Sequence, residues 1–229
     1  MPDGGPELDV DGCAVRFQVV AVVPVKPLLS AKSRLAVSFE HRRALALAFA
    51  LDTIAAVSGS PLVAGVLVVT SDPEIERCLR EHPVRLVPDG GAGLRAAVRA
   101  GCRAASGWQP ATGVAVVPAD LPCLLADDVT RVLTSAQAVD AAFVPDRASS
   151  GTTLLAYAPG RPALPQYGPE SAARHQALGL RRLDDAPVRA RHDVDTIEDL
   201  QQAAALGLGP ATAAALAVVQ GEAAAQHAS

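Results

Sequence analysis

Aromatic residues are scarce in this chain of 229 residues: Phe, Trp and Tyr make up 3% of it, whereas 50% of the residues are hydrophobic. The predicted core is therefore aliphatic, with Val-rich strands that alternate with Ala- and Leu-rich helices. The length fits one sizeable core, so we expect a single domain over residues 16–229 after a flexible extension over residues 1–15. The Ala-rich residues 206–229 are predicted to form a C-terminal helix and tail.

Three further absences exclude whole classes of protein. The net charge is −4, so the chain lacks the basic surface of a general nucleic-acid binder. None of its four cysteines forms a C-x-x-C pair, which favours reduced thiols in a cytoplasmic protein. No apolar run approaches the roughly 20 residues that span a bilayer, and the acidic first residues do not resemble a signal peptide. We therefore expect a cytoplasmic protein with neither nucleic-acid nor membrane partners.

Glycine is absent from position 13 to position 58, a stretch that includes the first predicted strand and the loop after it. A P-loop requires G-x-x-x-x-G-K-[ST], and a dinucleotide-binding fold requires G-x-G-x-x-G at this place. A G-x-S-x-G nucleophile elbow is also missing, which argues against hydrolase chemistry. Phosphates bound near the first strand would therefore need charged side chains rather than a glycine-rich backbone.

Short apolar runs alternate with helical patterns along the chain. The runs are bounded by proline or by polar turns, and segment 188–195 is predicted to be a late strand. This alternation predicts a three-layer α/β fold with a mostly parallel central sheet. In such folds ligands bind at the carboxyl ends of the strands, so the residues just after each run are the candidates for function.

Three cations follow the first strand within nine residues: Lys26, Lys32 and Arg34. Lysines supply mobile point charges, and the Arg34 guanidinium can bind two oxygens at once. This pattern suits a polyphosphate ligand. A solvated basic turn without a ligand is the alternative.

Carboxylates follow two other runs. Asp193 and Asp195 are two residues apart and would point to the same side of an extended segment, while Asp120 ends a different strand. If these strands are neighbours, three carboxylates converge on a site that suits Mg²⁺ bound jointly with a phosphate. Alternatively, Asp195 caps the helix that begins near Thr196, and Asp120 caps a turn.

Two later loops and two turns complete the candidate site. The "GTT" loop offers the Thr153 hydroxyl, and "GPES" opens a helix whose free N–H groups could hold a small phosphorylated acid. An ordinary helix start is the alternative for "GPES". The candidate nucleotide contacts in the turns after the second and third strands are Ser71, Asp72 and Gly93.

Five motifs resemble those of one family and occur in its order across residues 17–204: "PVKPLLSAKSRL", "PADLPCL", "SSGTTLLA", "GPESAARHQALG" and "HDVDTIEDL". The chain resembles the guanylyltransferases of coenzyme F420 biosynthesis, which act on phosphoenolpyruvate or 2-phospho-L-lactate. The resemblance implies a nucleotidyltransferase fold. It also implies Mg²⁺-dependent transfer of GMP from GTP to the phosphate of the acid, with release of diphosphate.

The resemblance also implies roles for individual residues. The catalytic and triphosphate-binding group would be Lys26, Lys32 and Arg34, with Asp120 as a further catalytic residue. The metal would be held by Asp120, Asp193 and Asp195. The acid would be held by Thr153, Gly168 and Ser171. Two positions depart from the family pattern: Ala119 replaces a Gly, and Arg95 replaces an Asn whose amide could read a base edge.

Other functions stay open at this point. A metal-dependent glycosyltransferase also uses D-x-D, although here "DVD" comes late and the cationic loop comes first. Another nucleotidyltransferase of the same fold, or a catalytically silent nucleotide-binding protein, is a further alternative. The acid could be phosphoenolpyruvate, 2-phospholactate or 3-phosphoglycerate, with phosphoenolpyruvate favoured. The oligomeric state is open between a monomer and a homodimer.

Overall fold

A computed structural model describes residues 17–227, in which a seven-stranded sheet lies between helices. The strands are β1 (Val19–Pro24), β2 (Val63–Val69), β3 (Val84–Val87), β4 (Gly113–Val116), β5 (Ala141–Pro145), β6 (Thr152–Tyr157) and β7 (Arg181–Arg182). The helices are α1 (Phe39–Ser58), α2 (Pro73–Cys78), α3 (Leu94–Trp108), α4 (Ala126–Ala136), α5 (Ser171–Ala177), α6 (Ile197–Leu206) and α7 (Pro210–His227). The predicted extension over residues 1–15 lies outside the described residues.

The strand order is β3-β2-β1-β4-β6-β5-β7. Neighbouring strands are parallel except at β6, which runs antiparallel to both β4 and β5. The carboxyl ends of β1 to β4 therefore open at one edge of the sheet. The predicted α/β class with a mostly parallel sheet is confirmed.

Both faces of the sheet are buried, as the continuous apolar runs predicted. In β1, Val19, Ala21 and Val23 pack into the core beneath α1 and α4, whereas Val20 and Val22 pack into the core beneath α3 and α5. A third apolar cluster joins the outer side of α1 to α6 and α7. The molecule thus has helical layers on both sides of a Val-rich sheet.

Local sequence signals explain where several helices begin. The Ser38 hydroxyl accepts the N–H of His41 at the start of α1, and Pro73 opens α2. Helix α2 ends at Cys78, and the chain then turns before β3. Within residues 17–227 no helix combines the length and apolarity needed to cross a bilayer.

The cysteines agree with the expectation of reduced thiols where the structure describes them. Cys102 and Cys123 are buried, Cys78 is half-buried, and all three are free. Burial raises the pKa of the Cys102 thiol to about 12 and that of Cys123 to about 11. Cys13 lies outside the described residues.

The prediction of a strand over residues 188–195 is wrong. Val188–Arg191 forms a 3₁₀ helix, and the chain then runs irregularly to Thr196. The place beside β5 is taken by Arg181–Arg182, and Val188 is 62% exposed rather than packed in a sheet. The sheet edge that the segment would need is therefore occupied by another part of the chain.

Candidate active site

The loop after β1 carries the three predicted cations across the carboxyl edge of the sheet. The N–H of Val25 donates to the Val69 carbonyl, which extends the pairing of β1 with β2. Asp72 holds this loop in place, because its carboxylate accepts the N–H of Leu28 at 2.8 Å and also caps α2. Asp72, predicted to contact the nucleotide, is 7% exposed and lies under the loop as its support.

Lys32 joins this loop to two carboxylates at once. Its Nζ lies 2.8 Å from Asp120 Oδ2 and 2.8 Å from Asp195 Oδ1. Burial alone lowers the pKa of Lys32, but the two carboxylates outweigh burial and leave the pKa above its usual value. Lys32 therefore stays an ammonium ion and ties together residues that are far apart in sequence.

The two carboxylates reach Lys32 from loops that are hydrogen-bonded to each other. The N–H of Val194 donates to the Asp120 carbonyl at 3.0 Å, which draws the "DVD" segment beside the end of β4. The Asp199 carboxylate accepts the N–H groups of Asp195 and Thr196, and Thr196 is the N-cap of α6. Asp195 is therefore not the helix cap, and its own carboxylate is directed at Lys32.

Asp193 lies in a field of negative charge. Burial, followed by the nearby carboxylates of Asp120, Asp195 and Asp146, raises the pKa of Asp193 to about 7. The three predicted carboxylates therefore lie close enough to affect one another, although no strand brings them together. Among the described residues, no basic side chain forms an ion pair with Asp193.

Lys26 and Arg34 are the exposed cations of the loop. Neither makes a direct ion pair within the part of the chain that the structure describes. Burial raises the pKa of Asp195, but Lys32, then Lys26 and Arg34, outweigh it and hold the pKa below its usual value. Lys26 and Arg34 thus add positive potential at the edge while their charged groups remain available to an anionic ligand.

The carboxylates supply oxygen donors for a metal ion but do not form a complete site. Across residues 17–227, no group of three or more His, Cys, Asp or Glu side chains is arranged to hold an ion by itself. Asp120 and Asp195 share Lys32, and Asp193 carries unbalanced charge. Oxygen donors of this kind fit a divalent cation that takes its remaining ligands from water and a phosphate.

Two adjoining cavities form a cleft over this edge, because Pro24, Val25, Lys26 and Leu94 line both of them. The first, of about 100 Å³, reaches Lys32, Asp120 and Asp195 and is also lined by Ala119. The second, of about 200 Å³, reaches Asp89 and Gly93. The cleft therefore connects the charged cluster to the glycine-rich turn.

The glycine-rich turn lies at the far end of the cleft. Gly93 precedes α3 at φ +81°, and a Cβ there would meet open space. The Ser71 hydroxyl donates to Asp89 Oδ1 at 2.8 Å, and both residues are near the surface. Asp89 follows β3 in the same way that the candidate residues follow their strands.

The predicted acid-binding residues are arranged differently from the expectation. The Thr153 hydroxyl donates to the Ala190 carbonyl at 2.5 Å, and Thr153 is 3% exposed. Ser171 is 2% exposed, and its N–H donates to the Gly168 carbonyl. Of the three, Gly168 alone is exposed. Thr153 supports the segment that carries the carboxylates, and the Ser171 N–H is engaged within the protein.

Arg95 also differs from the expectation. The resemblance placed it at a position for reading the base, but its Nε donates to the Tyr167 carbonyl at 2.6 Å. Arg95 therefore contacts the loop that leads to Gly168. Position in the sequence did not indicate this contact, because it joins residues 72 positions apart.

The fold and the charged cleft are those of an α/β protein that binds an anionic nucleotide at the carboxyl edge of its sheet. The family model of the MobA-like NTP transferase domain matches residues 41–190, and the chain belongs to that family. Among solved structures, a Methanothermobacter nucleotidyl transferase aligns with a TM-score of 0.60 at 17% identity, covering 82% of this chain and 97% of that one. The 4-diphosphocytidyl-2C-methyl-D-erythritol synthase of Anaerococcus prevotii aligns with a TM-score of 0.54 at 12% identity, covering 82% and 97%. These structures show the fold.

Curated relatives are much more similar in sequence. A protein of Streptomyces scabiei named phosphoenolpyruvate guanylyltransferase is 47% identical over 209 residues, which are 88% of this chain and 97% of the relative. Proteins with the same name from Streptomyces avermitilis and Streptosporangium roseum are 48% and 42% identical, covering 88% and 87% of this chain and 95% and 91% of their own. The resemblance inferred from the five motifs is confirmed.

Proposed function

We propose that the protein transfers GMP from GTP to the phosphate of phosphoenolpyruvate and releases diphosphate. The observation that carries this proposal is Lys32, which unites Asp120 and Asp195 in a cleft that Lys26 also lines. The names of relatives at 42–48% identity over most of the chain support the nucleotide and the acid. Participation in coenzyme F420 biosynthesis and a cytoplasmic location belong to the same proposal.

The reaction does not need a strong general base. A phosphate monoester is already anionic near neutral pH, so its oxygen can attack the α-phosphorus of GTP in line while diphosphate leaves. The main demands are positioning and neutralisation of charge. Lys26 and Arg34 would bind the triphosphate and balance the negative charge of the departing diphosphate. Lys32 would keep the loop against Asp120 and Asp195 during the reaction.

Nucleotidyltransferases of this type generally use a divalent metal, and we propose Mg²⁺ here. Asp120, Asp193 and Asp195 would hold it, and the ion would neutralise charge on the bound phosphates. The unbalanced negative charge around Asp193 supports this assignment. Asp199 keeps the segment in place by accepting the N–H groups of Asp195 and Thr196.

A panel of acids tests the proposed function. Purified protein is incubated with GTP, Mg²⁺ and one of phosphoenolpyruvate, 2-phospho-L-lactate or 3-phosphoglycerate, and released diphosphate is measured. We expect the fastest release with phosphoenolpyruvate and none from Asp120→Asn, whose folding is checked by circular dichroism. Exposed Asp185→Asn is the matched control and should retain full activity. Absence of diphosphate with every acid would contradict the proposal.

A further inference from the structure

Two guanidinium groups converge on the α-carbon of Gly168. A Cβ placed on Gly168 would lie 3.0 Å from Arg95 Nη2 and 3.7 Å from Arg174 Nη1. The φ of Gly168 is +123°, a conformation that favours glycine. A side chain at this position would press against Arg95 Nη2, so glycine allows both guanidinium groups to lie against the backbone.

The nitrogen that Arg174 directs toward this point has no partner. Its Nη1 is buried and makes no hydrogen bond with the residues that the structure describes. A buried donor of a charged group is costly when it stays unsatisfied. An anionic oxygen that reached Nη1 beside Gly168 would satisfy it, so the unpaired donor fits a bound ligand better than a closed protein surface.

Arg95 is held so that its end faces the same point. Its Nε donates to the Tyr167 carbonyl at 2.6 Å, which fixes the guanidinium beside the next residue, Gly168. Within residues 17–227, neither Arg95 nor Arg174 forms an ion pair with a carboxylate. Neither charge is therefore balanced by a carboxylate of the described residues.

This point lies beside the charged cleft. The Tyr167 hydroxyl donates to the Val116 carbonyl at the end of β4, the strand that leads to Asp120. Leu94, which precedes Arg95, lines the cleft together with Lys32 and Asp120. The two guanidinium groups are therefore adjacent to the cleft that Asp120 lines.

We propose that Arg95 and Arg174 bind the carboxylate of the acid substrate above Gly168. Paired guanidinium groups suit a planar carboxylate, because their N–H groups match its two oxygens. The pair would select phosphorylated acids over phosphate esters that lack a carboxylate. This inference rests on the proposed function and adds the group by which the acid is recognised.

The test compares two ligands that differ in one group. Phosphoenolpyruvate and isopropenyl phosphate, in which a methyl group replaces the carboxylate, are each varied as substrates with GTP at saturation. In Arg95→Ala and Arg174→Ala we expect the KM for phosphoenolpyruvate to rise about 10- to 100-fold, as for loss of a hydrogen bond to a charged group. The KM for GTP and the KM for isopropenyl phosphate should change less than about twofold.

Arg99→Ala is the matched control, since Arg99 is exposed one turn further along α3. Its KM for phosphoenolpyruvate should equal that of the wild type, and Arg95→Lys should fall between wild type and Arg95→Ala. Thermal unfolding shows whether each variant is folded. Active wild type with an unchanged KM for phosphoenolpyruvate in both alanine variants would overturn the carboxylate site, as would a rise confined to the KM for GTP. Inactive wild-type protein would instead contradict the proposed function.

Discussion

At the scale of single residues, Lys32 adopts a backbone conformation that is unusual for a side chain of its kind. Its φ is +51°, in the left-handed region, which costs about 1 kcal/mol for a residue other than glycine. Such strain persists where surrounding contacts determine the conformation. The two carboxylates at 2.8 Å supply those contacts. The loop is therefore preorganised before a nucleotide binds.

Replacing Lys32 tests this preorganisation through stability alone. Lys32→Met leaves Asp120 and Asp195 facing each other without their shared cation, so the free energy of unfolding should fall by about 1–3 kcal/mol. Lys26→Met, in the same loop but without an ion pair, should change it by less than about 0.5 kcal/mol. Urea denaturation without metal measures both. Equal stability of the two variants would contradict the structural role of Lys32.

The Asp193 carboxylate should lower the stability of the folded protein, although we assign it to the metal site. Its pKa of about 7 exceeds the usual 3.8, so the native state binds a proton that the unfolded state lacks between these values, and stability falls as pH rises through this window. At pH 8, Asp193→Asn should therefore be more stable than wild type by about 2 kcal/mol, and the gain should shrink toward pH 4.

Turnover of Asp193→Asn should nevertheless be lost, because a carboxylate that we assign to the metal is missing. Thermal unfolding at several pH values with a chelator, together with diphosphate release in Mg²⁺, checks both expectations. Asp185→Asn should show neither effect. A variant that is fully active, or one whose stability gain does not depend on pH, would contradict the role of Asp193.

The sequence predicted some of these residues well and others poorly, for a physical reason. Lys32 and Asp120 lie in the loops that follow β1 and β4, and the parallel sheet brings these loops to one edge, whereas Asp195 is placed there by the hydrogen bond from Val194 to the Asp120 carbonyl. The orientation of a short hydroxyl side chain depends on which polar groups lie beside it in the folded protein. Thr153 turns to the Ala190 carbonyl, and that neighbour is 37 positions away in sequence.

At the scale of elements, we propose that the loop between β1 and α1, which lacks glycine, binds the triphosphate through its charged side chains. We expect Lys26→Ala and Arg34→Ala to weaken GTP binding about tenfold or more and to weaken GMP binding far less, since the β- and γ-phosphates carry the contacts. Calorimetric titration with both nucleotides measures this difference. Ser33→Ala, on an exposed residue of the same loop, is the control. Equal losses for GTP and GMP would mean that the loop does not bind the terminal phosphates.

The segment before α5 depends on His175. This buried ring bonds Thr152 Oγ1 through Nδ1 and accepts the N–H of Gln166 through Nε2. Burial, followed by the charge of Arg174, lowers the pKa of His175 to about 4. The ring is therefore neutral near neutral pH and fixes the segment that leads to Gly168.

This arrangement gives a pH dependence of stability with a defined sign. Between pH 6.5 and pH 4 the unfolded chain binds a proton that native His175 does not, so the free energy of unfolding falls as pH falls, by up to about 3 kcal/mol. In His175→Asn this part of the slope should disappear, whereas exposed His82→Asn should retain it. Urea denaturation from pH 7 to pH 4 measures the slopes. Identical slopes in wild type and His175→Asn would contradict the account.

Residues 188–195 were predicted with the wrong secondary structure, yet their carboxylates still lie at the predicted edge of the sheet. Residues 188–195 have the alternation of a strand, but Arg181–Arg182 pairs with β5 instead. A hydrogen bond from Val194 to the Asp120 carbonyl then brings the "DVD" segment into place. Periodicity alone could not distinguish these arrangements, because strand pairing depends on which segment lies beside β5 in the folded chain.

At the scale of the whole molecule, the order of the strands determines where the cleft lies. β1 lies between β2 and β4, so the loop after β1 meets both the glycine-rich turn beyond β3 and the carboxylates beyond β4. The alternating apolar runs predicted the class of fold. They did not predict that β6 is antiparallel, since a short buried strand has the same sequence pattern in either direction.

Following the phosphates of GTP tests the central claim most directly. The protein is incubated with phosphoenolpyruvate, Mg²⁺ and GTP labelled with ³²P at either the α- or the γ-position, and the products are separated by chromatography. We expect the α-label in a new compound that contains both GMP and the acid, and the γ-label in diphosphate. An α-label that remains in GDP, or a γ-label transferred to the acid, would contradict nucleotidyl transfer by this site.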